Sequence, residues 1–249
     1  MRLLRGALVD SEPALELALA RALVVEAGSG RVEETLRVYR PAAPVVVFGR
    51  RDTRLPGFGA AVDAARAAGF EPVVRATGGR AVAYTSNALV IDHVRHEPGS
   101  TGGQDDRFRQ FGERFVDLFR GLGVDARLGA VPGEYCPGAH SVNARGVEKL
   151  VGTAQRMVPR AWLFSSLVVV GDEERLRPLL AEVYGCLGQD FDETSVGSVS
   201  REVPGVDVDA LEVSVVDAWA AGRPVDPRPV PEELVHAAVD LVEQYRVAP

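Results

Sequence analysis

The chain has 249 residues, 46% of them hydrophobic and 25% charged, with a net charge of −7 at pH 7. A chain of this length buries roughly 70% or more of its unfolded surface, so one large core holds it without disulfide or metal staples. The acidic balance argues against a basic face for non-specific nucleic-acid or anionic-membrane binding. Two cysteines, Cys136 and Cys186, offer neither a disulfide framework nor zinc-ligand spacing.

The opening stretch MRLLRGALVDSEPALELALARALV carries an Asp, two Glu and a Pro where a secretory leader keeps its apolar core. No window reaches ~18 apolar residues free of charge, so no membrane span is expected and the expected compartment is the cytoplasm. From residue 10, DSEPALELALARALVVEAGSG predicts a first helix. Ser11 is its N-cap, Pro13 sits in the first turn, and Leu15, Leu19, Ala22 and Leu23 form the buried stripe.

Two strands follow, RVEETLRVYR and PVVVFGR, parted by the breaker PAAP. GAAVDAARAAG reads as a short alanine-rich helix that Gly69 closes in the C′ position. FEPVVRATGG is a strand running into a glycine turn, and NALVIDHV is another strand. Residues 97–106, EPGSTGGQDD, form a polar loop rich in glycine. The best helix comes next, with Phe108, Phe111, Phe115, Leu118, Phe119 and Leu122 recurring at spacings of three and four.

VDARLGAV is a strand. Beyond the cysteine segment, SVNARGVEKLVGTAQRMV alternates on either side of a polar NARG, the pattern of a hairpin. RAWLFSSLVVVGD is a buried strand, and from Asp172 a capped helix carries Leu176, Leu179, Leu180, Val183 and Leu187. TSVGSVSREVPG is a loop, and one or two helices end the chain. Strands and helices intermix without regular βαβ alternation. That predicts an α+β fold with a mixed, largely antiparallel sheet flanked by helices.

Three stretches carry candidate chemistry. In RATGGRAVAY a strand ends at Gly78-Gly79, which frees backbone N–H groups and lets a ligand come close, while Arg75 adds a fixed cation. Most such glycine pairs are plain turns, and this one is neither a dinucleotide fingerprint nor a Walker loop. A free cysteine is most often a small buried hydrophobe. Cys136, however, stands in the loop-like GEYCPG before Pro137 and Gly138, a setting suited to a reactive thiol.

Cys186, near the end of a helix stripe, reads as structural. Lysine is scarce where arginine carries the positive charge, so Lys149 in VEKLVGTAQR suggests that an ammonium able to lose its proton is wanted there. The alternative is a solvated strand lysine. Gly152, Thr153 and Ala154 behind it are small enough for a chain or cofactor to lie against the backbone. His140 is a second candidate base, four residues from Cys136 across the Pro-Gly turn. His93 and His96 at a strand end read as surface or orienting residues, and no spacing suggests a metal.

The order of these motifs resembles the catalytic domain shared by lipoate-protein ligases, octanoyltransferases and, more distantly, biotin protein ligases. The resemblance covers residues 3–170 and is most specific in R-x-x-G-G at Arg75–Gly79 and K-x-x-G-[ST]-A-Q-R at Lys149–Arg156. It implies one catalytic domain over residues 1–249, with residues 172–249 a helical C-terminal extension. Ligases typically read R-R-x-[ST]-G-G-G-A-V-x-H; here Val74 precedes Arg75, Arg80 replaces the third glycine and Tyr84 the histidine. The stretch EYCPGAHSVNARG resembles instead the cysteine-dependent octanoyl-[glycine cleavage H protein]:protein amidotransferases.

That subgroup implies Cys136 as the nucleophile and Lys149 as its catalytic partner. Arg75, Gly78, Gly79, Val82, Gly152, Thr153 and Ala154 then bind the acyl substrate. Octanoylated glycine-cleavage H protein or acyl carrier protein is the implied donor, and lipoyl domains of 2-oxoacid dehydrogenases the acceptor, with no cofactor required. The alternatives are an ATP- and Mg-dependent lipoate ligase, or a non-catalytic protein that binds lipoyl domains or acyl groups.

Overall fold

In a computed structural model, residues 1–8, 12–99 and 102–248 are described. The chain begins β1 (Arg2–Arg5), α1 (Pro13–Gly28), β2 (Thr35–Tyr39), β3 (Val45–Phe48), α2 (Phe58–Ala67), β4 (Glu71–Val74), β5 (Val82–Tyr84) and β6 (Ala88–His96). It continues with α3 (Gln104–Gly121), β7 (Ala126–Leu128), β8 (Val142–Ala144), β9 (Glu148–Val158) and β10 (Ala161–Val169). It ends with α4 (Glu173–Cys186), α5 (Val199–Glu202), α6 (Val208–Ala220), β11 (Asp226–Arg228) and α7 (Glu232–Val239).

Eight strands form the large sheet in the order β11-β1-β2-β6-β10-β9-β8-β7. Only β11, β1 and β2 run parallel; the other pairs are antiparallel. A second sheet, β4-β3-β5, pairs β3 with β4 in parallel, and α2 is the crossover such pairing needs. The mixed, mainly antiparallel α+β fold expected from the sequence is the one present.

The central strands are apolar on both sides because both faces of the large sheet are covered. Leu36, Val38, Ile91 and Phe164 enter a core under α3 and α6. Tyr39, Val90, Val94 and Leu163 enter one under α1, which also receives the small sheet, α2, α4 and α7.

The NARG hairpin forms, with Arg145 at φ 57° and Gly146 at φ 80°. Two left-handed central residues match the twist of the flanking strands. Gly69 closes α2 at φ 76°, in the position expected for it.

Other expectations need correction. Ser11 lies outside the described residues, and α1 instead starts behind Glu12 with Pro13 in its first turn. Three strands went unread (β1, β5 and β11), each too short to display a period. The polar loop of residues 97–106 gives its last three residues to α3, and its Ser100 and Thr101 are outside the described residues. Leu122 is not in the buried stripe; it caps α3 and is 37% exposed. Asp172 stands at the N-cap of α4 without capping it, because its carboxylate accepts from Thr85 Oγ1 and Asn87 Nδ2. Within TSVGSVSREVPG the chain folds into α5, which Ser198 caps by accepting from Arg201 N–H.

Candidate active site

Two loops meet over the middle of β9. The first leaves β4 at Arg75, whose N–H is held by Phe48 O at 2.9 Å, and Arg156 of β9 donates to Ala76 O at 2.7 Å. Gly79 then takes φ 111°, where side chains are strained. A Cβ on Gly79 would lie 2.7 Å from Cys136 Sγ and closer still to the Arg75 guanidinium. Glycine is required there, whereas a Cβ on Gly78 would meet nothing within 4 Å.

The second loop holds Cys136 at φ 42°. Its N–H donates to Tyr184 Oη at 2.6 Å, and that hydroxyl donates to Ala81 O at 3.0 Å. One tyrosine of α4 thereby fixes both loops. Cys136 Sγ accepts from Arg75 Nη2 at 3.3 Å and from the Arg80 N–H at 3.2 Å. Burial alone would raise the thiol. The nearby Arg75 and Lys149 charges, with hydrogen bonds from Arg80 N–H and Arg75, outweigh it and hold the thiol below its ordinary value.

Lys149, the only lysine in the chain, is 2% exposed and not a solvated strand residue. Nζ donates to Tyr135 O at 3.0 Å and Cys136 O at 2.8 Å, and stands 2.9 Å from Glu134 Oε2. It also lies over the Tyr135 ring, 4.8 Å from the centroid. The ammonium thus grips the backbone of the cysteine residue itself.

Thiol and ammonium border a cavity of about 510 Å³. Leu17 and Ala20 of α1, Val47, Val82, Val90 and Leu167 give it apolar walls. Arg75, Gly78, Gly79, Val82, Cys136, Lys149, Gly152, Thr153 and Ala154, picked out from sequence, all border this one space.

His140 also borders it but does not serve Cys136. It stacks on Phe108 at 5.8 Å and faces Asp105 at 3.6 Å. His93 is not a surface residue: it is buried between Phe111 and Trp162, with Nε2 3.0 Å from Glu34 Oε1. Cys186 sits half-buried at the end of α4 against the core. Sequence reasoning missed Glu134 and Tyr184. Glu134 had a signal, an acid two residues before the cysteine; Tyr184 looked like one more member of an apolar stripe.

A family model described as the lipoyl protein ligase A/B catalytic domain matches residues 12–220. The chain belongs to that family. Among curated relatives, the octanoyl-[GcvH]:protein N-octanoyltransferase of Geobacillus kaustophilus is 29% identical over 153 residues, covering 61% of this chain and 53% of that protein. The enzyme of the same name from Exiguobacterium sibiricum is 33% identical over 116 residues, covering 45% of this chain and 41% of its own length. The chain thus spans about half the length of the curated relatives it matches.

Solved members share the fold. A lipoate-protein ligase A bound with ATP superposes with a TM-score of 0.76 at 22% identity, covering 98% of this chain and 94% of that one. A bi-partite lipoate protein ligase from Thermoplasma acidophilum gives 0.73 at 20% identity, covering 98% and 91%. Within the family, this chain departs from the ligase pattern at Arg80. Its N–H is engaged by Cys136 Sγ, its carbonyl accepts from Arg75 at 2.7 Å, and its guanidinium reaches Asp52 at 3.4 Å. Among the described residues no helix is long and apolar enough to cross a membrane.

Proposed function

We infer that the chain is an acyltransferase of lipoate metabolism, moving an octanoyl or lipoyl group through a Cys136 thioester onto a lysine of a carrier domain. The observation carrying this reading is a thiol with two hydrogen-bond donors, next to the only lysine, at the wall of an apolar cavity. The names of the curated relatives support octanoylated H protein as donor and a protein as acceptor, and the Thermoplasma acidophilum ligase has an E2 lipoyl domain for its partner, which supports lipoyl domains as acceptors. Acyl carrier protein is the other candidate donor. The whole of residues 1–249 acts as the catalytic domain, with residues 172–249 as its helical extension; Tyr184 of that extension anchors the cysteine loop.

The thiolate attacks the acyl carbonyl, forming the C–S bond and moving the carbonyl electron pair onto oxygen. Gly79 lies against the thiol with Gly78 just before it, and neither N–H makes a hydrogen bond among the described residues. Each such donor to an oxyanion contributes ~3–4 kcal/mol in other enzymes. With an N-octanoyl-lysine donor, the C–N bond breaks as the intermediate collapses, and the departing amine takes a proton from the Lys149 ammonium. The neutral Lys149 then takes one from the incoming lysine, whose nitrogen attacks the thioester and expels the thiolate. The second proton on each nitrogen exchanges with water.

Two Nζ hydrogens donate to backbone carbonyls while Glu134 stands in ion-pair contact, so transfer exchanges one carbonyl contact for the reacting nitrogen. Each buried CH₂ of the acyl chain contributes ~0.8 kcal/mol.

Intact-mass analysis tests the reading after separate incubations with octanoylated H protein, octanoylated acyl carrier protein, and octanoate plus ATP. The expected result is an ATP-independent octanoyl adduct on the Cys136 peptide. Acylation of Cys186, or labelling only with octanoate and ATP, removes the reading; the latter outcome establishes the ligase.

A further inference from the structure

The cysteine loop carries a buried acid that the transfer chemistry above does not use. The Glu134 side chain is fully buried. Its Oε1 accepts from the N–H groups of Val131 at 3.2 Å and Gly138 at 3.3 Å, one on each side of the cysteine. Its Oε2 stands 2.9 Å from Lys149 Nζ. One carboxylate therefore closes the loop on itself and ties it to β9.

We propose that Glu134 is a positioning residue whose carboxylate keeps Lys149 charged and seated beneath Cys136. The inference deepens the acyl-transfer reading, and its first test needs no acyl donor. A buried ammonium without a counter-ion sheds its proton, because desolvation disfavours the charged form. The other groups facing Nζ offset this only in part. Tyr135 offers its ring face and, with Cys136, a neutral carbonyl, the Cys136 thiol carries charge only once ionised, and the Arg75 charge across the thiol repels. The adjacent Glu148 turns away to Arg145, Arg177 and Arg201. Among the described residues, Glu134 is the only carboxylate in ion-pair contact with Lys149.

The same geometry explains why this lysine is not one more arginine. A point-like ammonium fits between two carbonyls and a carboxylate, and it can release a proton, as a guanidinium cannot. Removing the Glu134 charge should therefore discharge Lys149 and so weaken the thiolate, whose second positive neighbour it is.

Because the chain has one lysine, lysine-selective isotope labelling gives a single side-chain amine signal to follow against pH. In Glu134→Gln that amine should lose its proton at lower pH than in the wild type. Alkylation of Cys136 by iodoacetamide at neutral pH should slow by about tenfold, the effect of one unit on the thiol. Glu134→Asp, which keeps the charge, should retain most of the alkylation rate. A folded Gln variant with unchanged lysine titration and unchanged alkylation overturns the proposal, as does an Asp variant that behaves like Gln.

Should the Gln variant fail to fold, the Asp variant decides alone: alkylation about tenfold slower than in the wild type overturns the assignment. Acyl labelling is a separate readout. No acyl adduct alongside an intact Glu134 effect removes the transfer reading alone, and normal labelling with unaltered alkylation removes the Glu134 role alone.

Discussion

The two faces of the large sheet are built to opposite ends. Under α3 and α6 the space is filled with rings: Phe111 meets Phe164 at 4.5 Å and Phe115 meets Trp219 at 4.7 Å. Toward α1 the same strands present Gly152, Ala154, Val90 and Leu167, and α1 answers with Leu17 and Ala20, leaving the cavity. A buried charge cluster lies on the cavity side. Arg37 pairs there with Glu16 and with Asp92 at 3.4 Å, and Asp92 also accepts from Ser165 Oγ at 2.5 Å. Aromatic volume thus stabilises one side, while the other leaves room for a ligand and accepts ions only in pairs.

The sharpest break in that comparison is Cys136→Ser. It should cut acyl transfer by more than about a thousandfold and abolish the adduct, with stability unchanged to within ~0.5 kcal/mol in urea denaturation. Lys149→Arg keeps a charge but cannot give up a proton, so single-turnover transfer should fall by about a hundredfold or more. Wild-type rates in that variant would remove the acid–base role.

The neighbouring glycines provide an internal control. Gly79→Ala pushes a methyl into the thiol and Arg75 and should cost about a hundredfold, the scale of a 1 Å misplacement. Gly78→Ala, with open space around it, should stay within about twofold.

On the aromatic face the signature reverses. Phe115→Ala should lower stability by ~3–5 kcal/mol while transfer per folded molecule is preserved. A smaller, pH-linked effect belongs to His93. Burial pushes its imidazole down, and the hydrogen bond to Glu34 only partly offsets this. The neutral form is therefore the native one: its contribution is full above the unfolded value of about 6.5 and is lost as pH falls through the lower native value. Urea midpoints should decline from about pH 7.5 to 5.5, and His93→Gln should flatten the decline.

Much of this was readable in the sequence, because the long periodic elements obey local rules. The Phe108–Phe119 stripe, the NARG hairpin and the Gly69 stop each follow from spacing or backbone freedom. The candidate site residues, which border one cavity, stood out through short turns flanked by small residues. What escaped depends on contacts distant along the chain. Glu134 gains meaning only when β9 brings Lys149 beneath it, and Tyr184 only when α4 lays its hydroxyl across two loops. His93 and His96 alternate on β6, yet one is sealed under Trp162 and the other reaches Ala27 O at 2.6 Å. No local pattern separates them.

The solitary lysine has one more consequence. A protein that hands activated acyl groups to primary amines is exposed to spending them on itself, and a surface dotted with ε-amines would be a standing sink. This chain places arginine at every other basic side-chain position, and its one ε-amine is locked inside by an acid and two carbonyls. Its exterior therefore carries no ε-amine to compete for an activated acyl group.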